Sequence, residues 1–351
     1  MKIKKEIVFK KCIASEKSRL SALKAVLAEM CLPFSPGDVV GIKLHWGERG
    51  NKNYLPPVYA KEIANWLKIK KLKPFVFDNT VLYSGGRRDG RQSLITAGQH
   101  NYCEEYLDCP VCIGDGLDGK DVVDLPAGYK HFEKVQVGKI IYQADGFFIF
   151  SHFKGHMGTG FGAAIKNISM GFASRAQKQR MHADAKPFLN KKKCILCGEC
   201  VKVCPTGAAT MTGREYPVYD LYKCLGCAQC IAMCPETALK IIWDTNAEVF
   251  QEKLVETAAA VWNVINQKTV LVTALLNIVA DCDCLTGNHP VISEDRGFIG
   301  AYHPVTADQE AITVVGEEII ERAHPNIPWK RQFTYAREIG FYFFNAKKNN
   351  N

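Results

Sequence analysis

Short apolar runs alternate with amphipathic stretches through the first half of the chain. The run Val39–Leu44 follows the turn signal Pro36-Gly37-Asp38, and a short apolar run after a turn is typical of a buried strand. The segment Val58–Leu67 places most of its apolar side chains on one helical face, which predicts a helix. The same patterns predict a second helix and three further strands: Gln92–His100, Pro74–Asp78, Val111–Ile113 and Gly146–Ser151.

The alternation returns towards the C-terminal end. Glu248–Ile265 and Gln309–Arg322 have helical periodicity, and the apolar run Thr269–Val279 between them predicts a long buried strand. Strands that alternate with helices form mostly parallel sheets covered by helices on both faces. The sequence therefore predicts an α/β fold with a mostly parallel sheet and flanking helices.

The segment 187–244 interrupts this alternation. It is rich in Cys, Lys, Gly and Pro, has little helical periodicity, and repeats itself after 30 residues, so that Lys193 superimposes on Lys223 and Pro205 on Pro235. Because the α/β pattern resumes after it, we expect a discontinuous α/β domain, residues 1–186 plus 245–351, with residues 187–244 inserted as a separate small domain.

The inserted segment contains two copies of one cysteine pattern. They read Cys194-x2-Cys197-x2-Cys200-x3-Cys204-Pro205 and Cys224-x2-Cys227-x2-Cys230-x3-Cys234-Pro235. This is the run of bacterial two-cluster ferredoxins, in which the first three thiolates hold one cluster and the fourth holds the other. The sequence therefore predicts two 4Fe–4S clusters, one held by Cys194, Cys197, Cys200 and Cys234, the other by Cys224, Cys227, Cys230 and Cys204. A zinc ribbon would explain two Cys-x2-Cys pairs, but not two overlapping triplets that each end in Cys-Pro.

Composition narrows the class of protein. The chain has 351 residues, of which 47% are hydrophobic and 23% charged, a mixture that excludes a largely disordered chain. The longest apolar run, Val270–Ala280, is far shorter than the roughly 20 residues that cross a bilayer, so we expect no membrane span. The N-terminus lacks the apolar region of a signal peptide, and the 15 cysteines are odd in number, so we expect a cytoplasmic protein without a disulfide framework.

The formal net charge of +9 suggests an acidic partner at first. Two oxidised clusters with four thiolates each contribute about −2 apiece, which lowers the total to about +5. The remaining basic residues concentrate around the inserted segment: Arg175, Lys178, Arg180, Lys186, Lys191, Lys192 and Lys193. They indicate either a solvated face that balances the cluster charge or a docking patch for an acidic redox partner. Nucleic acid is not expected, because no aromatic residues are interleaved with these charges.

Four polar stretches follow predicted strands. They are Lys43–Asn51, Asp78–Thr80 with Gly85–Arg88, Ser151–His156 with the following glycine-rich turn and Lys166-Asn167, and Asp281–Cys284. Ligands of open parallel sheets bind beyond the carboxyl ends of the strands, so these stretches are expected to converge on one crevice. The candidate catalytic residues are His152, Lys154, His156, Lys166, Cys282 and Cys284, and the candidate cofactor-binding residues are Lys43, His45 and Asp78.

Each candidate also has a simpler interpretation. His152 and His156 could bind a metal or, in a loop, a substrate anion. The stretch Gly158–Gly162 lacks the full dinucleotide fingerprint, so close packing of a turn competes with phosphate binding there. The pair Cys109 and Cys112 is interpreted as structural.

Cys282 and Cys284 could be small buried residues at a strand end, or a ligand or redox pair. Their neighbours Asp281 and Asp283 are expected to raise the thiol pKa, because like charge disfavours the thiolate. A metal or cluster would offset that repulsion. If the pair is functional, both thiols should line the crevice and face His152 or His156.

These segments together resemble the ferredoxin-bearing members of the prokaryotic family known as domain of unknown function 362. The resemblance rests on Ser151–His156, Gly160–Asn167, Ala173–Ala176, Met181-His182, Asp281–Cys284, Asp78–Tyr83, Pro304–Gln309 and the doubled cysteine run. It implies an α/β domain interrupted by a two-cluster ferredoxin, in an iron–sulfur protein of cytoplasmic and largely anaerobic metabolism. It implies no particular substrate.

Two functions are consistent with these features. The first is an iron–sulfur electron-transfer protein that passes single electrons to a redox protein partner, with the α/β body recognising a partner or ligand. The alternative is an oxidoreductase whose clusters feed electrons to an unknown small-molecule substrate, or to a further cofactor, in the α/β crevice. The sequence leaves open whether the protein is an enzyme.

Overall fold

The computed structural model describes residues 6–82, 85–182, 186–204, 206–221, 223–224, 230, 234–236, 238–242 and 247–342. The strands in this part of the chain are β1 (Ile7–Lys11), β2 (Val39–Lys43), β3 (Lys73–Asp78), β4 (Val111–Ile113), β5 (Val122–Pro126), β6 (Lys134–Gly138), β7 (Gly146–His152), β8 (Lys154–His156), β9 (Gly160–Gly162), β10 (Lys186–Leu189), β11 (Ala209–Thr210), β12 (Val218–Tyr219), β13 (Leu239–Ile242), β14 (Thr269–Leu275), β15 (Ile278–Val279), β16 (Val291–Ser293) and β17 (Gly297–Ala301).

The helices cover both faces of the main sheet. They are α1 (Glu16–Glu29), α2 (Pro57–Ile69), α3 (Gly90–Gln99), α4 (Glu104–Leu107), α5 (Ala164–Phe172), α6 (Arg175–Met181), α7 (Glu199–Lys202), α8 (Ala247–Ile265), α9 (Pro304–Val315), α10 (Glu317–Ala323) and α11 (Arg331–Glu338). Ser15 caps α1 and Asp89 caps α3, because each side chain accepts the backbone N–H three residues further on. Among the described residues, no helix is both long and apolar enough to cross a bilayer.

Seven strands form the main sheet, in the order β1-β17-β14-β7-β2-β3-β4. Parallel pairing joins the five strands from β14 to β4. At the other edge, β17 pairs antiparallel with both β14 and β1. The predicted α/β fold with a mostly parallel sheet and flanking helices is confirmed.

The central strands are buried on both faces, as a continuous apolar run predicts. Every residue of β7 is buried. Because side chains alternate along a strand, Phe147 and Ile149 join the core that contains α5 and α8, whereas Phe148 and Phe150 join the core that contains α1 and α2. The sheet is therefore fixed from both sides, and its carboxyl edge is a rigid platform.

Two predicted elements are each divided in the structure. The strand predicted over Thr269–Val279 ends at Leu275, and β15 pairs instead with β16 in a separate small sheet. Asn277, with φ of 44°, makes the turn that separates them. The helix predicted over Gln309–Arg322 begins earlier, at Pro304, and is interrupted at Gly316, whose φ of 106° is outside the helical range.

The two ends of the segment 187–244 lie side by side. Strand β10 pairs antiparallel with β13, from Lys186 opposite Ile242 to Leu189 opposite Leu239. Among the described residues between these strands, regular structure includes the four-residue α7, a short 3-10 turn at Lys191–Lys193, and the two-residue strands β11 and β12.

Candidate functional site

The carboxyl ends of neighbouring parallel strands surround a cavity of about 260 Å³. Strand β2 ends at Lys43, β3 at Asp78 and β7 at His152, and the turn Asp281–Cys284 closes the rim beyond β14. The four polar stretches therefore meet at one place, because the carboxyl ends of parallel strands share one edge of the sheet. All nine candidates from the α/β part line the cavity: Lys43, His45, Asp78, His152, Lys154, His156, Lys166, Cys282 and Cys284.

Asp78 is the centre of one buried network. Its carboxylate accepts from Lys43 Nζ at 2.9 Å and from an Arg87 Nη at 3.0 Å, and His45 Nδ1 lies 3.1 Å from it. Burial alone would raise the pKa of this carboxyl, but Lys43, His45 and Arg87 hold the pKa well below its usual value. Lys43 Nζ also donates to Leu44 O and to Asn167 Oδ1, so this ammonium group is fully engaged.

Asp283 is the centre of a second network beside the first. Its Oδ1 lies 2.7 Å from Lys154 Nζ and 3.4 Å from His45 Nε2, and its Oδ2 lies 3.1 Å from His152 Nδ1. Burial opposes ionisation, but Lys154, His45 and His152 lower the pKa of this carboxyl well below its usual range. His45 therefore lies between two buried carboxylates, one on each ring nitrogen.

The two thiols occupy the wall next to Asp283. Cys282 Sγ lies 3.7 Å from Lys166 Nζ, and the backbone N–H of Cys284 points at the same sulfur with an N···S distance of 3.4 Å. The thiol of Cys284 donates a hydrogen bond to Cys282 Sγ, and Lys166 and Lys154 carry positive charge nearby. Together they hold the pKa of the Cys282 thiol well below its usual value. The pKa of Cys284 is raised well above its usual value, first because its thiol donates to Cys282 and also because it is buried.

For Cys282 this reverses the expectation drawn from the flanking aspartates. Asp283 does act in the predicted direction, but it is paired with Lys154, and the cation nearest to the sulfur is Lys166. Both lysines come from segments more than a hundred residues earlier in the chain. The local sequence shows the carboxylates and not the lysines that outweigh them.

The two candidate histidines have fixed hydrogen-bonding roles. His156 Nδ1 accepts from the backbone N–H groups of Gly158 and Thr159, both at 3.1 Å, so the neutral ring carries its proton on Nε2. His152 uses both nitrogens, one towards Asp283 and the other towards Leu276 O at 2.8 Å. The imidazoles of His152 and His156 are therefore held by other protein groups, which weighs against the pair as metal ligands.

In the part of the chain that the structure describes, two sets of donor atoms lie close enough to share a metal ion, within 4.8 Å of one another: His156 with Cys282 and Cys284, and His45 with Cys282 and Asp283. A metal ion bound by the first set would require His156 to lose its remaining proton while Nδ1 still accepts two hydrogen bonds. A metal ion bound by the second set would compete with Lys154 for the Asp283 carboxylate. Both sets also face Lys166, whose charge opposes a bound cation.

Several polar lining residues were not among the sequence candidates, and they include Arg87, Lys178 and His182. Lys178, expected on a basic surface, is buried instead, and its Nζ donates to Thr80 O and Ala173 O. Burial lowers the pKa of Lys178 to about 8. His182 stacks on Phe250 with 4.7 Å between ring centroids, and burial lowers its pKa to about 4. The only sequence signal for His182 was its place in a motif that resembles the family. Lys178 had none.

The cavity carries an excess of positive charge. Five cationic side chains line it: Lys43, Arg87, Lys154, Lys166 and Lys178. Asp78 opposes them within the lining, and the buried Asp283 lies next to it, paired with Lys154. Apolar side chains such as Phe150 and Phe250 complete the wall. A partly apolar cavity with unbalanced buried cations is suited to a small organic anion.

The glycine-rich stretch after His156 forms a tight hairpin. Strands β8 and β9 pair antiparallel, with Gly160 opposite His156. A Cβ on Gly160, whose φ is 75°, would lie 2.7 Å from Trp329 Cβ. Close packing thus accounts for this glycine.

The described cysteines of the inserted segment come together across the repeat. Cys194, Cys197, Cys200 and Cys234 line one common cavity, so the last cysteine of the second run lies with the first three of the first run. The positive φ of Leu196 (59°) and Gly198 (72°) wraps the loop around that cavity. Four thiols around one space are a donor set suited to a 4Fe–4S cluster.

The second set of cysteines is described only in part, because Cys227 lies outside the described residues. Thr206, two residues after Cys204, donates from Oγ1 to Lys223 O at 2.9 Å, next to Cys224. The backbone N–H of Ala209 points at Cys204 Sγ with an N···S distance of 3.3 Å. Cys204 is thus tied to the start of the second run.

The basic residues near this segment divide into two groups. Lys191, Lys192 and Lys193 are exposed on their 3-10 turn, and Lys191 Nζ lies 5.3 Å from the centre of the Tyr216 ring. Lys178 belongs to the cavity instead. The continuous basic surface expected from the sequence is therefore smaller, with its exposed core at 191–193.

Comparison with known proteins places the chain in a family. The sequence profile of the family described as "Domain of unknown function (DUF362)" matches residues 40–313. The chain belongs to this family. The matched range covers most of the strands and helices around the cavity, and it confirms the predicted membership of this family. No curated protein matches this family member.

Solved structures resemble this DUF362 chain at low identity. One is a Thermotoga maritima protein known from a crystal structure, with a TM-score of 0.45 and 11% sequence identity, covering 90% of this chain and 60% of that one. Another is the lactate racemase apoprotein from Thermoanaerobacterium thermosaccharolyticum, with a TM-score of 0.43 and 12% identity, covering 87% of this chain and 57% of the other. The chain thus spans about 60% of the length of these solved proteins.

Proposed function

We propose that this chain is an iron–sulfur electron-transfer protein in which the segment 187–244 holds two 4Fe–4S clusters and passes single electrons to a redox protein partner. The observation that carries the proposal is the doubled cysteine run, whose spacing and terminal Cys-Pro match the two-cluster ferredoxin pattern in both copies. When bound, the clusters would supply one-electron oxidation and reduction.

The geometry of the segment supports this proposal in two ways. Cys234 lies with Cys194, Cys197 and Cys200 around one cavity, as crossed ligation requires. The described residues of the segment also bury few side chains, chiefly small ones such as Ala208, Ala209 and Ala238. A small domain without an apolar core commonly needs metal centres to fold.

Crossed ligation can be tested with a matched pair of variants. In the full chain purified without oxygen, about eight iron atoms and about eight sulfides per chain are expected. Cys204→Ala should damage the cluster held by Cys224, Cys227 and Cys230, and Cys234→Ala should damage the cluster held by Cys194, Cys197 and Cys200. Electron paramagnetic resonance of each reduced variant would identify the surviving cluster. Two zinc ions in place of iron, or loss of the near cluster in each variant, would contradict the proposal.

The α/β cavity favours a second candidate function, an oxidoreductase that takes electrons from the clusters to a small anionic substrate. The supporting observation is the excess of buried lysine and arginine around the Cys282 thiol. A docking body for a protein partner would not need this enclosed charge, because a partner contacts the surface.

Anion binding is the first test of the second candidate. Inorganic phosphate and small mono- and dicarboxylates, titrated into the holoprotein, should raise the midpoint of thermal unfolding of the wild type. Lys166→Gln should weaken the response, whereas the matched surface change Lys70→Gln should leave it unaltered. A cavity that binds none of these anions, or binds them equally well in Lys166→Gln, would remove the support for an anionic substrate.

A further inference from the structure

We infer that Cys282 and Cys284 form a redox-active dithiol in the cavity wall that reduces a small anionic disulfide, with Cys282 as the attacking thiolate and Cys284 as the resolving thiol. The inference deepens the oxidoreductase candidate and rests on the proposed electron-transfer function for its supply of electrons. It assigns a chemical class of substrate, a disulfide bearing carboxylate groups, to the cavity of about 260 Å³.

The backbone places the two thiols within reach of each other. Cys282 begins a turn in which Leu285 N–H donates to Cys282 O with an N···O distance of 3.0 Å, and this keeps positions 282 and 284 close. Both sulfurs belong to a group of atoms that lie within 4.8 Å of one another. Disulfides join cysteines whose Cα atoms are about 4.4–6.8 Å apart, a range that the first and third residues of such a turn can satisfy.

The charged groups around Cys282 favour its thiolate form more than that of Cys284. The charged and titratable groups that face Cys282 come from several elements: Lys166 on α5, Lys154 on β8, His156 at the end of β8, His45 after β2, and Asp283 and Cys284 on its own turn. Asp283 Oδ1 lies 3.6 Å from Cys282 Sγ, but the same oxygen is paired with Lys154 Nζ at 2.7 Å, and Lys166 Nζ, 3.7 Å from the sulfur, stabilises a thiolate there. Gly162 leaves room for this lysine, because a Cβ there would lie 3.1 Å from Lys166 Cδ.

The opposite pKa shifts of the two thiols agree with this geometry. Cys282 is held towards the thiolate and Cys284 towards the thiol. A low-pKa nucleophile next to a protonated partner is the arrangement of thiol–disulfide oxidoreductases. The N–H of His156 Nε2 can donate a hydrogen bond to a leaving thiolate, because Nδ1 accepts the backbone N–H groups of Gly158 and Thr159.

The reaction balances as follows. The Cys282 thiolate attacks one sulfur of the substrate disulfide, a Cys282–substrate bond forms, and the first substrate thiolate leaves. Cys284 loses its proton and attacks the Cys282 sulfur, which releases the second substrate thiolate. With one proton taken up, the products are two substrate thiols and a Cys282–Cys284 disulfide. Two electrons from reduced one-electron iron–sulfur clusters, and one further proton, restore the thiolate and the thiol.

The chain contains its own comparison pair. Cys109 and Cys112 are also close in sequence, but Lys68, the lysine that acts on Cys109, donates to Asp108 O and Oδ2. Burial raises the pKa of each to about 11. At neutral pH these thiols should react slowly and stay reduced when Cys282 and Cys284 are oxidised.

Differential alkylation of the full holoprotein tests the inference. Iodoacetamide at pH 7, followed by peptide mass spectrometry, should modify Cys282 at least about tenfold faster than Cys109 or Cys112. Lys166→Met should slow this reaction by about tenfold at pH 7 and much less at pH 9, where any thiol ionises more readily. Lys166→Arg should restore most of the rate, because it keeps the charge.

Oxidation provides a second readout that does not depend on the clusters. Diamide should link Cys282 to Cys284 and leave Cys109 and Cys112 reduced, and Cys284→Ser should keep fast alkylation of Cys282 but form no internal disulfide. Oxidised glutathione, which carries four carboxylates, is the substrate probe. The wild type should reduce it stoichiometrically, and Cys282→Ser should not.

Different experimental results would overturn this inference and the proposed function. Iron content and electron paramagnetic resonance are measured on the same samples. Intact clusters with slow alkylation of Cys282, with no internal disulfide, or with zinc bound at Cys282 and Cys284, would overturn the dithiol alone. Absent clusters, with a dithiol that diamide still oxidises, would overturn the proposed electron supply and leave the dithiol standing.

Discussion

The α/β cavity and the cysteine-rich segment 187–244 concentrate the chemistry of this chain by opposite means. The cavity gathers Lys43, Asp78 and Asp283 from positions up to 240 residues apart, and both cores of the sheet hold them in place. The segment places Cys194, Cys197 and Cys200 within one short loop and adds Cys234 from its repeat. In the first region the folded sheet positions the side chains of the site. In the second region we expect the bound clusters to stabilise the fold of the segment.

This difference has consequences for stability. A cavity built on a sheet keeps its shape without a ligand, because its support is the apolar core. The described residues of the segment bury few side chains, so its stability is expected to depend on what its cysteines would hold. The two regions should therefore respond differently to loss of metal, to loss of a buried charge, to acid and to changes of surface charge.

The largest expected effect is that of iron removal. Chelation under reducing conditions should abolish the folded structure of the described residues between 190 and 238, because the bound clusters would replace an apolar core there. Strands β7 and β14 should keep their protection, since they lie in the centre of the main sheet. Hydrogen exchange followed by mass spectrometry measures both regions at once. Equal loss of protection in the sheet, or a segment unaffected by chelation, would contradict the comparison.

Loss of a buried charge in the cavity should have the second largest effect. Asp283→Asn leaves Lys154 and His152 without their carboxylate, and breaking a buried pair costs about 3–5 kcal/mol in the free energy of unfolding. The matched change is Glu199→Gln in the segment, which removes an exposed pair with Lys202 and should cost less than about 0.5 kcal/mol. Urea unfolding of both holoproteins checks the difference. Equal effects would show that the cavity network contributes no more than a surface pair.

Acid should destabilise the α/β part through buried histidines. Burial lowers the pKa of His303 to about 4, so between about pH 4 and 6.5 the unfolded chain binds a proton that the folded chain does not. The contribution of His303 is complete above about pH 6.5 and is lost as the pH falls to 4, by on the order of 2–3 kcal/mol. His182, with a pKa of about 4, has the same sign.

The test is the pH dependence of the free energy of unfolding in His303→Gln, which should be flatter than wild type between pH 4 and 6.5. The segment 187–244 contains no histidine, so cluster loss in acid should not change in this variant. An unchanged slope in His303→Gln would show that His303 is not buried in its neutral form.

Surface charge should have the smallest effect on stability and act on association instead. Replacing Lys191, Lys192 and Lys193 with Gln should change the free energy of unfolding by no more than about 0.5 kcal/mol. At low salt it should slow electron transfer with a small acidic ferredoxin, because exposed charges steer encounter and are screened beyond about 8 Å at physiological salt. The matched triple change is Lys17, Lys70 and Lys73 to Gln, on the α/β part. Electron-transfer rates that depend neither on salt nor on either triple change would contradict the presence of a docking patch at Lys191, Lys192 and Lys193.

Much of the fold could be predicted from local patterns. Strands β2, β3, β4 and β7 lie where apolar runs predicted them, because residues buried on both faces of a parallel sheet must be continuously apolar. The predictions failed where one residue changed the backbone. Asn277 ended a strand and Gly316 ended a helix within apolar stretches that hydrophobicity alone reads as continuous.

The sequence by itself determined which residues could carry chemistry, and in the cysteine-rich segment also their grouping. The spacing places the first three cysteines of each run together, and the two-cluster pattern predicts the crossing that puts Cys234 with the first run. For the cavity, it identified nine lining side chains, most of them close to strand ends, because parallel strands share one edge.

Only the tertiary structure decided the electrostatics of the cavity. Lys166 lies against Cys282 and Lys154 against Asp283, so the Cys282 thiol is shifted towards the thiolate where its sequence neighbours predicted the reverse. Lys178 is buried beneath the cavity and not on the surface. The physical reason is that a pKa depends on distances through space and on burial, and both are set by contacts between segments far apart in the chain.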